Sequence, residues 1–257
     1  MLTRRHGAIL KLLEARGALA VGVLSQELGV STETVRRDIR ALVESGAAVR
    51  VHGAVGLAGQ IGEAPFERRM RENAAAKRAI ARAMAERIAD GDSLMLDTGT
   101  TTSFLARELL GHRRITVVTN SLDIARTLAT VNGNRVFMAG GALRGDSGAA
   151  LGASALEFIR GFTVQYAIIS AGAVDTGGVM DFDLQEAEFA RAVLACGERR
   201  VVITDASKFG RRGFIRVAGF AGLDDLVTDQ PPPPAIAAAM AEAGMAVTLA
   251  APGHHGQ

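Results

Sequence analysis

Apolar residues near the start of the chain recur at the spacing expected for three short helices. Residues 3–15 carry an apolar stripe that ends at Gly17, and residues 21–28 continue a helical pattern until Gly29. Ser31 is a favourable N-cap for a third helix. The apolar positions of that helix fall on one face and are Val35, Ile39, Leu42 and Val43. Two helices joined by a tight turn predict a helix-turn-helix.

A weaker alternation of apolar and polar residues follows Gly46, in the segment AAVRVHGAVGL. This alternation, with a glycine at its centre, predicts a two-stranded wing that carries Arg50 and His52 near its tip. Helices, turn and wing in this order are typical of a winged helix-turn-helix DNA-binding domain. A small helical bundle with a solvated basic face is the alternative interpretation.

The rest of the chain alternates between helical patterns and short apolar runs. Residues 56–64 are rich in glycine and predict a hinge, and residues 65–90 predict one long helix or two helices broken near Asn73. Buried strands are predicted at 93–97, 115–119, 135–140, 164–172, 199–205, 225–229 and 245–250. Strands of this length separated by helices predict an open, mostly parallel α/β sheet.

These patterns divide the chain into three parts. We expect a DNA-binding domain at residues 1–58, a linker at 59–75 and an α/β domain at 76–257. The composition, 48% hydrophobic and 22% charged, is typical of a globular protein. No apolar run reaches the length of a membrane span, and the N-terminus has neither the apolar core nor the cleavage site of a signal peptide. We therefore expect no membrane partner.

The charge is distributed unevenly. The first 58 residues contain eight Lys and Arg against five Asp and Glu, whereas the whole chain has a net charge of only +2. This excess of positive charge is expected for a small domain that meets phosphates. The single cysteine, Cys196, excludes an internal disulfide and favours a cytoplasmic protein.

The polar face of the third helix carries the chemistry for DNA contacts. Short hydroxyl side chains approach bases and phosphates closely, and arginines bridge phosphates or bind guanine edges. The candidate DNA-binding residues are Ser31, Thr32, Thr34, Arg36, Arg37, Arg40, Arg50 and His52. Asp38 is expected to be structural, because DNA repels a carboxylate.

Small polar residues and glycines follow four of the predicted strands, where ligands bind in open α/β sheets. The candidate effector-binding residues in these segments are Asp97, Thr98, Gly99, Thr100, Thr101, Asn120, Gly140, Gly141 and Lys208. The segment from Asp97 to Thr101 fits a phosphate site and a well-capped helix start equally well. The acids Asp181, Asp183, Glu186 and Glu188 either face sugar hydroxyls or form a solvated face. No cofactor and no metal site is predicted, since His254 and His255 have no third ligand nearby in sequence.

Several of these segments resemble one family. The stretch LSQELGVSTETVRRDIRALVESGAAVRVHGAV resembles the signature of DeoR-type transcriptional regulators, V-S-x-x-T-[VI]-R-R-D-[LI] followed by a wing with R-x-H-G-G. Ala54 replaces the second wing glycine. The segments DTGTT, TNS, GG and SKFG occur in the order found in the sensor domain of the same family.

This resemblance implies a repressor of a carbohydrate or polyol catabolic operon that binds double-stranded operator DNA as a homo-oligomer, a dimer or a tetramer. It implies a sensor fold similar to ribose-5-phosphate isomerase and a phosphorylated sugar or polyol as effector, with glycerol 3-phosphate among the candidates. It also implies that the predicted effector-binding residues other than Gly140 and Gly141 line the pocket. We expect no enzymatic activity. The alternative is an isomerase-like enzyme with a DNA-binding appendage, in which Asp97, Glu188 and Lys208 would perform acid–base chemistry.

Overall fold

The computed structural model describes residues 4–16, 19–51, 54–57 and 63–251. The predicted DNA contact His52 and the histidines His254 and His255 lie outside the described residues.

The N-terminal domain contains the three predicted helices and the wing. Its elements are α1 (Arg4–Arg16), β1 (Leu19–Ala20), α2 (Val21–Leu28), α3 (Thr32–Glu44), β2 (Ala48–Val51) and β3 (Ala54–Leu57). The strands form an antiparallel sheet in the order β1-β3-β2, so the wing is confirmed and gains a third strand from the segment between the first two helices. The third strand was not predicted, because two residues are too short for a periodic pattern.

Local sequence signals set the ends of α2 and α3. Gly29 ends α2 with a φ of 62°, in the left-handed region that favours glycine. Ser31 caps α3 by accepting a hydrogen bond from the Thr34 backbone N–H at 3.2 Å. Val35 and Ile39 then enter the core of this domain.

Asp38 is the polar residue on the inner face of α3. Its buried carboxylate accepts hydrogen bonds from Arg5 and lies 3.3 Å from Nε2 of His6, both on α1. The hydrogen bond from Arg5 holds the pKa of Asp38 below its usual range. Asp38 therefore joins α1 to α3, in agreement with the structural role expected for it.

Two helices lead into the second domain, as one of the two sequence interpretations predicted. They are α4 (Phe66–Arg71) and α5 (Ala74–Ala85). Asn73 separates the two helices, because its φ of 52° lies in the left-handed region and cannot continue a right-handed helix. Buried Lys77 donates to the carbonyl oxygens of Arg69 and Glu72, the latter at 2.8 Å, and so satisfies the C-terminal end of α4.

The second domain alternates strands and helices as predicted. Its elements are β4 (Ser93–Leu96), α6 (Thr100–Glu108), β5 (Thr116–Thr119), α7 (Leu122–Leu128), β6 (Arg135–Met138), α8 (Ala153–Arg160), β7 (Val164–Ser170), β8 (Ala173–Asp175), β9 (Gly178–Asp181), α9 (Leu184–Ala195), β10 (Gly197–Ile203), β11 (Ile215–Ala218), β12 (Asp225–Thr228), α10 (Pro234–Glu242) and β13 (Ala246–Leu249). Seven strands pair in parallel in the order β13-β12-β10-β7-β4-β5-β6. The predicted parallel α/β fold is confirmed.

The strand order changes direction at one place in this sheet. From β4 the chain proceeds outward through β5 to β6, and it then returns to place β7 on the other side of β4. The boundary between β4 and β7 is therefore the topological switch point, where the loops after adjacent strands diverge and leave a crevice. Separate apolar clusters pack against the two faces of the sheet, one around Ile169 and Val202, the other around Leu96 and Ile203.

A small antiparallel sheet of order β11-β9-β8 lies beside the main sheet and was not predicted from the sequence. Its strands are three to four residues long and one begins at Gly178. A Cβ atom at Gly178 would lie 2.8 Å from the Cα atom of Gly219, so only glycine allows this approach.

Among the helices of the described residues, none has the length and apolar character that a membrane span requires.

Candidate functional site

A cleft opens at the switch point between β4 and β7. It is narrow in this structure, with an enclosed volume of about 20 Å³. The loop after β4 contributes Asp97 and Thr98, the loop after β5 contributes Asn120, and the end of β7 contributes Ser170. Parallel strands bring these carboxyl-terminal ends to one edge of the sheet, which is where α/β proteins bind ligands.

Asp97 lies at the floor of the cleft. Its buried carboxylate accepts the backbone N–H of Ser170, at 3.1 Å to Oδ1 and 3.2 Å to Oδ2. Burial raises the pKa of Asp97 well above its ordinary value, and the nearby acids Asp181 and Glu186 raise it further, against the Ser170 hydrogen bond. A carboxyl group of this kind suits hydrogen bonding to neutral hydroxyls better than binding a cation.

Thr98 and Asn120 connect the two loops that flank the cleft. The Thr98 hydroxyl lies 2.9 Å from Oδ1 of Asn120, to which it donates, and Nδ2 of Asn120 donates to the carbonyl oxygen of Ala150 at 3.0 Å. Both polar ends of the buried Asn120 amide are thus occupied, which holds it in one orientation.

The N-terminus of α6 begins directly behind Thr98. Gly99 is the N-cap and supplies no side-chain cap. Thr102 donates its hydroxyl back to the carbonyl oxygens of Asp97 and Gly99, at 2.9 and 3.0 Å. Thr100 and Thr101 are buried in the first turn of the helix, and neither side chain lines the cleft. Thr100 and Thr101 therefore form part of the N-terminus of α6 but do not line the cleft.

Two further acids face Asp97 across the cleft. Asp181 ends β9, and Glu186 lies in the first turn of α9. Burial raises the pKa of Glu186 to about 8, with repulsion from Asp181, although Arg144 donates to it at 2.7 Å. Burial raises the pKa of Asp181 to about 6. Of the four acids noted in the sequence, Asp181 and Glu186 thus line the cleft. Asp183 caps α9 by accepting from the backbone N–H of Glu186 at 3.1 Å.

A basic group borders the cleft on the side of β10. Lys208 follows β10 and pairs with Oε1 of Glu63, while Arg69 of α4 lies 2.5 Å from Oε2 of the same carboxylate. The Glu63 and Lys208 side chains are each only 13% exposed. Burial alone would raise the pKa of Glu63, but Arg69 and Lys208 outweigh it and lower this pKa to about 2. The adjoining cavity also contains Lys77 and Arg211.

A hydrogen-bond network fixes the loop that carries Lys208. Asp205 is buried and accepts from Nδ2 of Asn73 at 2.9 Å and from the backbone N–H of Ser207 at 3.1 Å. Nδ2 of Asn73 is also 3.1 Å from the Ser207 hydroxyl. The junction between α4 and α5 is therefore attached directly to the end of β10.

The structure does not bring every predicted residue to the cleft. Gly140 and Gly141 follow the edge strand β6, are exposed, and do not line the cleft that contains Asp97. The reason is the strand order, which places β5 and β4 between β6 and the switch point. Glu188 is exposed and lines a separate cleft with Arg160 and Arg191. Among the described residues, no group of three His, Cys, Asp or Glu side chains has the arrangement of a metal site.

The second candidate site is the outer face of α3. Ser31, Thr32, Arg36, Arg37 and Arg40 are exposed, and Thr34 is half-buried because its hydroxyl lies 2.9 Å from that of Ser31. Arg50 on β2 is also exposed. A groove between α3 and the wing is lined by Arg36, Arg40 and Arg50. The fold thus places these predicted residues on one basic surface.

Comparison with known proteins identifies the family of both domains. Residues 5–60 match the DeoR-like helix-turn-helix domain, and residues 72–230 match the DeoR C-terminal sensor domain. The chain belongs to the DeoR family. The resemblance noted in the sequence is therefore confirmed over most of its length, and the protein is a DeoR-family transcriptional regulator.

Curated relatives of this DeoR-family chain are repressors. The glycerol-3-phosphate regulon repressor of Escherichia coli is 33% identical over 90% of this chain and 92% of its own length. The transcriptional repressor CsqR of Escherichia coli is 34% identical over 95% of this chain and 94% of its own length. The transcriptional repressor AccR of Agrobacterium fabrum is 33% identical over 88% of each chain.

Two solved structures match parts of this chain. Ribose 5-phosphate isomerase A from Neisseria gonorrhoeae matches 53% of each chain at 19% identity with a TM-score of 0.39. The eIF2B beta subunit from Chaetomium thermophilum matches 59% of this chain and 49% of its own at 18% identity with a TM-score of 0.42. Similarities at this level imply nothing about the ligand or the reaction.

Sequence reasoning missed three residues with polar side chains that line the cleft in this DeoR-family regulator. Ser170 was read only as part of a strand, and Glu63 and Arg69 only as part of the linker. Glu63 and Arg69 belong to a segment with many charges, and nothing in that pattern distinguishes a buried pair from a solvated one.

Proposed function

We propose that this DeoR-family regulator represses a carbohydrate or polyol catabolic operon and releases its operator when a phosphorylated sugar or polyol binds the sensor domain. The observation that carries the proposal is that acidic and basic groups adjoin at the switch point. Asp97, Asp181 and Glu186 in the cleft offer hydrogen-bonding groups for hydroxyls. Arg69, which lines both the cleft and the adjoining cavity, and Lys208 in that cavity offer positive charge for a phosphate.

Glycerol 3-phosphate is the first effector to test. Its hydroxyls match the carboxyl groups of the cleft in chemistry, and its phosphate matches the cations Arg69 and Lys208. A curated relative at 33% identity is named for the glycerol-3-phosphate regulon, which supports the choice. Other phosphorylated sugars and polyols have the same two-part chemistry, so a panel is required.

The DNA partner is double-stranded operator DNA. Exposed arginines on α3 and Arg50 on the wing would meet the major groove and the phosphates. We propose that the protein acts in the cytoplasm as a homo-oligomer, a dimer or a tetramer. A dimer would place two copies of α3 about 34 Å apart on the same side of the duplex. The effector changes DNA affinity only as far as it binds the released conformation more tightly.

An isomerase-like activity is the alternative raised by the sequence. It required Asp97, Glu188 and Lys208 to act together, but Glu188 is exposed in a cleft that Asp97 does not line. Curated relatives that are repressors also favour regulation over catalysis. We therefore propose that the protein is not an enzyme.

A gel-shift titration tests the proposed function. Full-length protein is titrated against the promoter upstream of its own gene, with and without glycerol 3-phosphate and other phosphorylated sugars and polyols. We expect at least one compound to weaken DNA binding by about 5- to 150-fold, the usual range of allosteric coupling. The unphosphorylated counterparts serve as controls. If no phosphorylated compound changes the affinity, the proposal is wrong.

A further inference from the structure

The Glu63 carboxylate lies between two cations that come from different parts of the chain. Its Oε1 atom pairs with Lys208 in the loop after β10, and its Oε2 atom pairs with Arg69 of α4 at 2.5 Å. Glu63 itself comes from neither element, because it precedes α4 in the segment that leads from the DNA-binding domain. Each carboxylate oxygen thus has one cationic partner, which is also how a protein holds two oxygens of a phosphate.

This pair of cations faces space that a ligand can reach. Glu63 and Arg69 line the cleft with Asp97, and they also line an adjoining cavity of about 100 Å³ that contains Lys77 and Lys208. Removing a carboxylate and two cations from water is expensive, so such an ion pair adds little to stability compared with apolar packing. Its position beside the carboxyl groups of the cleft therefore favours a role in ligand binding.

We propose that Arg69 and Lys208 form the phosphate subsite of the effector cleft, and that Glu63 is an internal anion that the effector phosphate displaces. The proposal rests on the proposed function, because it takes the effector to be a phosphate ester bound in this cleft. A phosphate dianion carries more charge than one carboxylate and offers more acceptor oxygens, so it competes favourably for the same cations.

Displacing Glu63 alters contacts that reach the DNA-binding helix. Arg69 also holds this segment through Nε, which donates to the carbonyl oxygen of Ala64 at 2.9 Å. The preceding residue, Arg68, donates to the carbonyl oxygen of Ser45 at 2.6 Å, directly after the end of α3. Arg69, which binds Glu63, is thus the sequence neighbour of Arg68, which holds the end of α3. Exchange of Glu63 for phosphate frees the segment before α4 and loosens the position of α3 relative to the sensor.

The first test compares Glu63→Gln with the full-length wild type. Inorganic phosphate and glycerol 3-phosphate are titrated into each protein by isothermal titration calorimetry. Because the variant lacks the competing charge, we expect both anions to bind about tenfold more tightly, equivalent to about 1.4 kcal/mol. Glu67→Gln is the matched control, because Glu67 lies four residues later on α4, is exposed, and pairs with exposed Arg71 at 3.5 Å. It should bind both anions as the wild type does. Equal affinities in Glu63→Gln and the wild type overturn the proposal.

The second test needs no variant. Hydrogen–deuterium exchange of the wild-type protein is followed with and without saturating glycerol 3-phosphate. We expect faster exchange at the backbone amides of residues 66–72, since the segment loses its attachment through Glu63. Unchanged or slower exchange in this segment, with the ligand bound, overturns the proposal.

These outcomes separate the subsite from the proposed function. A wild-type protein that binds no phosphorylated sugar or polyol overturns both. A wild-type protein that binds such an effector and responds to it, while Glu63→Gln binds it no more tightly, overturns only the role given to Glu63.

Discussion

Gly99 and Ser170 meet across the topological switch point. A Cβ atom built on Gly99 would lie 2.7 Å from the Cβ atom of Ser170, although the Gly99 φ of −160° suits any residue. The glycine is required by this contact between neighbouring strand ends and not by its backbone conformation. The close approach lets the Ser170 backbone N–H reach the carboxylate of Asp97, which forms the floor of the cleft.

Gly99→Ala is expected to destabilise the sensor domain by about 1–3 kcal/mol, since the added methyl group forces two strand ends apart. Thermal melting measures the loss. The double variant Gly99→Ala with Ser170→Gly removes the opposing side chain and should recover part of it. A double variant less stable than Gly99→Ala would contradict the steric explanation.

Arg37→Ala is expected to weaken operator binding by about tenfold, or about 1.4 kcal/mol, while leaving effector affinity unchanged. Arg37 is exposed on α3 and lines neither the cleft nor the adjoining cavity. If it contacts a phosphate, the slope of log affinity against log salt should fall by about 1. Fluorescence anisotropy at several salt concentrations measures both quantities. Arg82→Ala, on α5 of the sensor, is the control. Loss of effector binding together with DNA binding would indicate unfolding instead.

Asp38→Asn is expected to destabilise the DNA-binding domain by about 1–3 kcal/mol, because a buried carboxylate with charged hydrogen-bond partners is replaced by an amide that presents a donor to Arg5. Urea denaturation in the absence of DNA measures the effect. Glu33→Gln removes an exposed carboxylate 3.5 Å from Arg36 on the same helix and should change stability by about 0–1 kcal/mol. Equal effects of the two substitutions would show that Asp38 is not a structural anchor.

Glu186→Gln is expected to change how stability depends on pH. Folding raises the pKa of Glu186 to about 8, so its contribution to stability is complete below its ordinary pKa of 4.5 and is lost as the pH rises through about 8. The neutral glutamine does not undergo this loss. Relative to the wild type, the variant should gain about 2–4 °C in melting temperature between about pH 5 and pH 8.5, as expected for about 1 kcal/mol.

Glu242→Gln is the control for this experiment, because Glu242 is exposed on α10. Its melting temperature should follow that of the wild type across the pH range. A parallel pH dependence of Glu186→Gln and the wild type would show that folding does not raise the pKa of Glu186.

The local signals in the sequence were sufficient for most elements of the fold. The apolar spacing predicted α2 at the bounds that the structure has, Ser31 marked a helix start, and of the two interpretations left open the break near Asn73 is the correct one. The short strands β8, β9 and β11 were missed, because three or four residues do not establish a period. Within the cleft, Asp97 and Asn120 could be named in advance because they follow predicted strands.

The sequence by itself determined the two domain types, the strand–helix alternation and the family, since periodicity, caps and short motifs act over a few residues. The tertiary structure alone decided which strand ends meet. It placed Ser170 against Asp97, 73 positions earlier, and Glu63 against Lys208, 145 positions later, and it left Gly140 at the far edge of the sheet. Strand order depends on how whole faces pack across the sheet, and no local pattern contains that information.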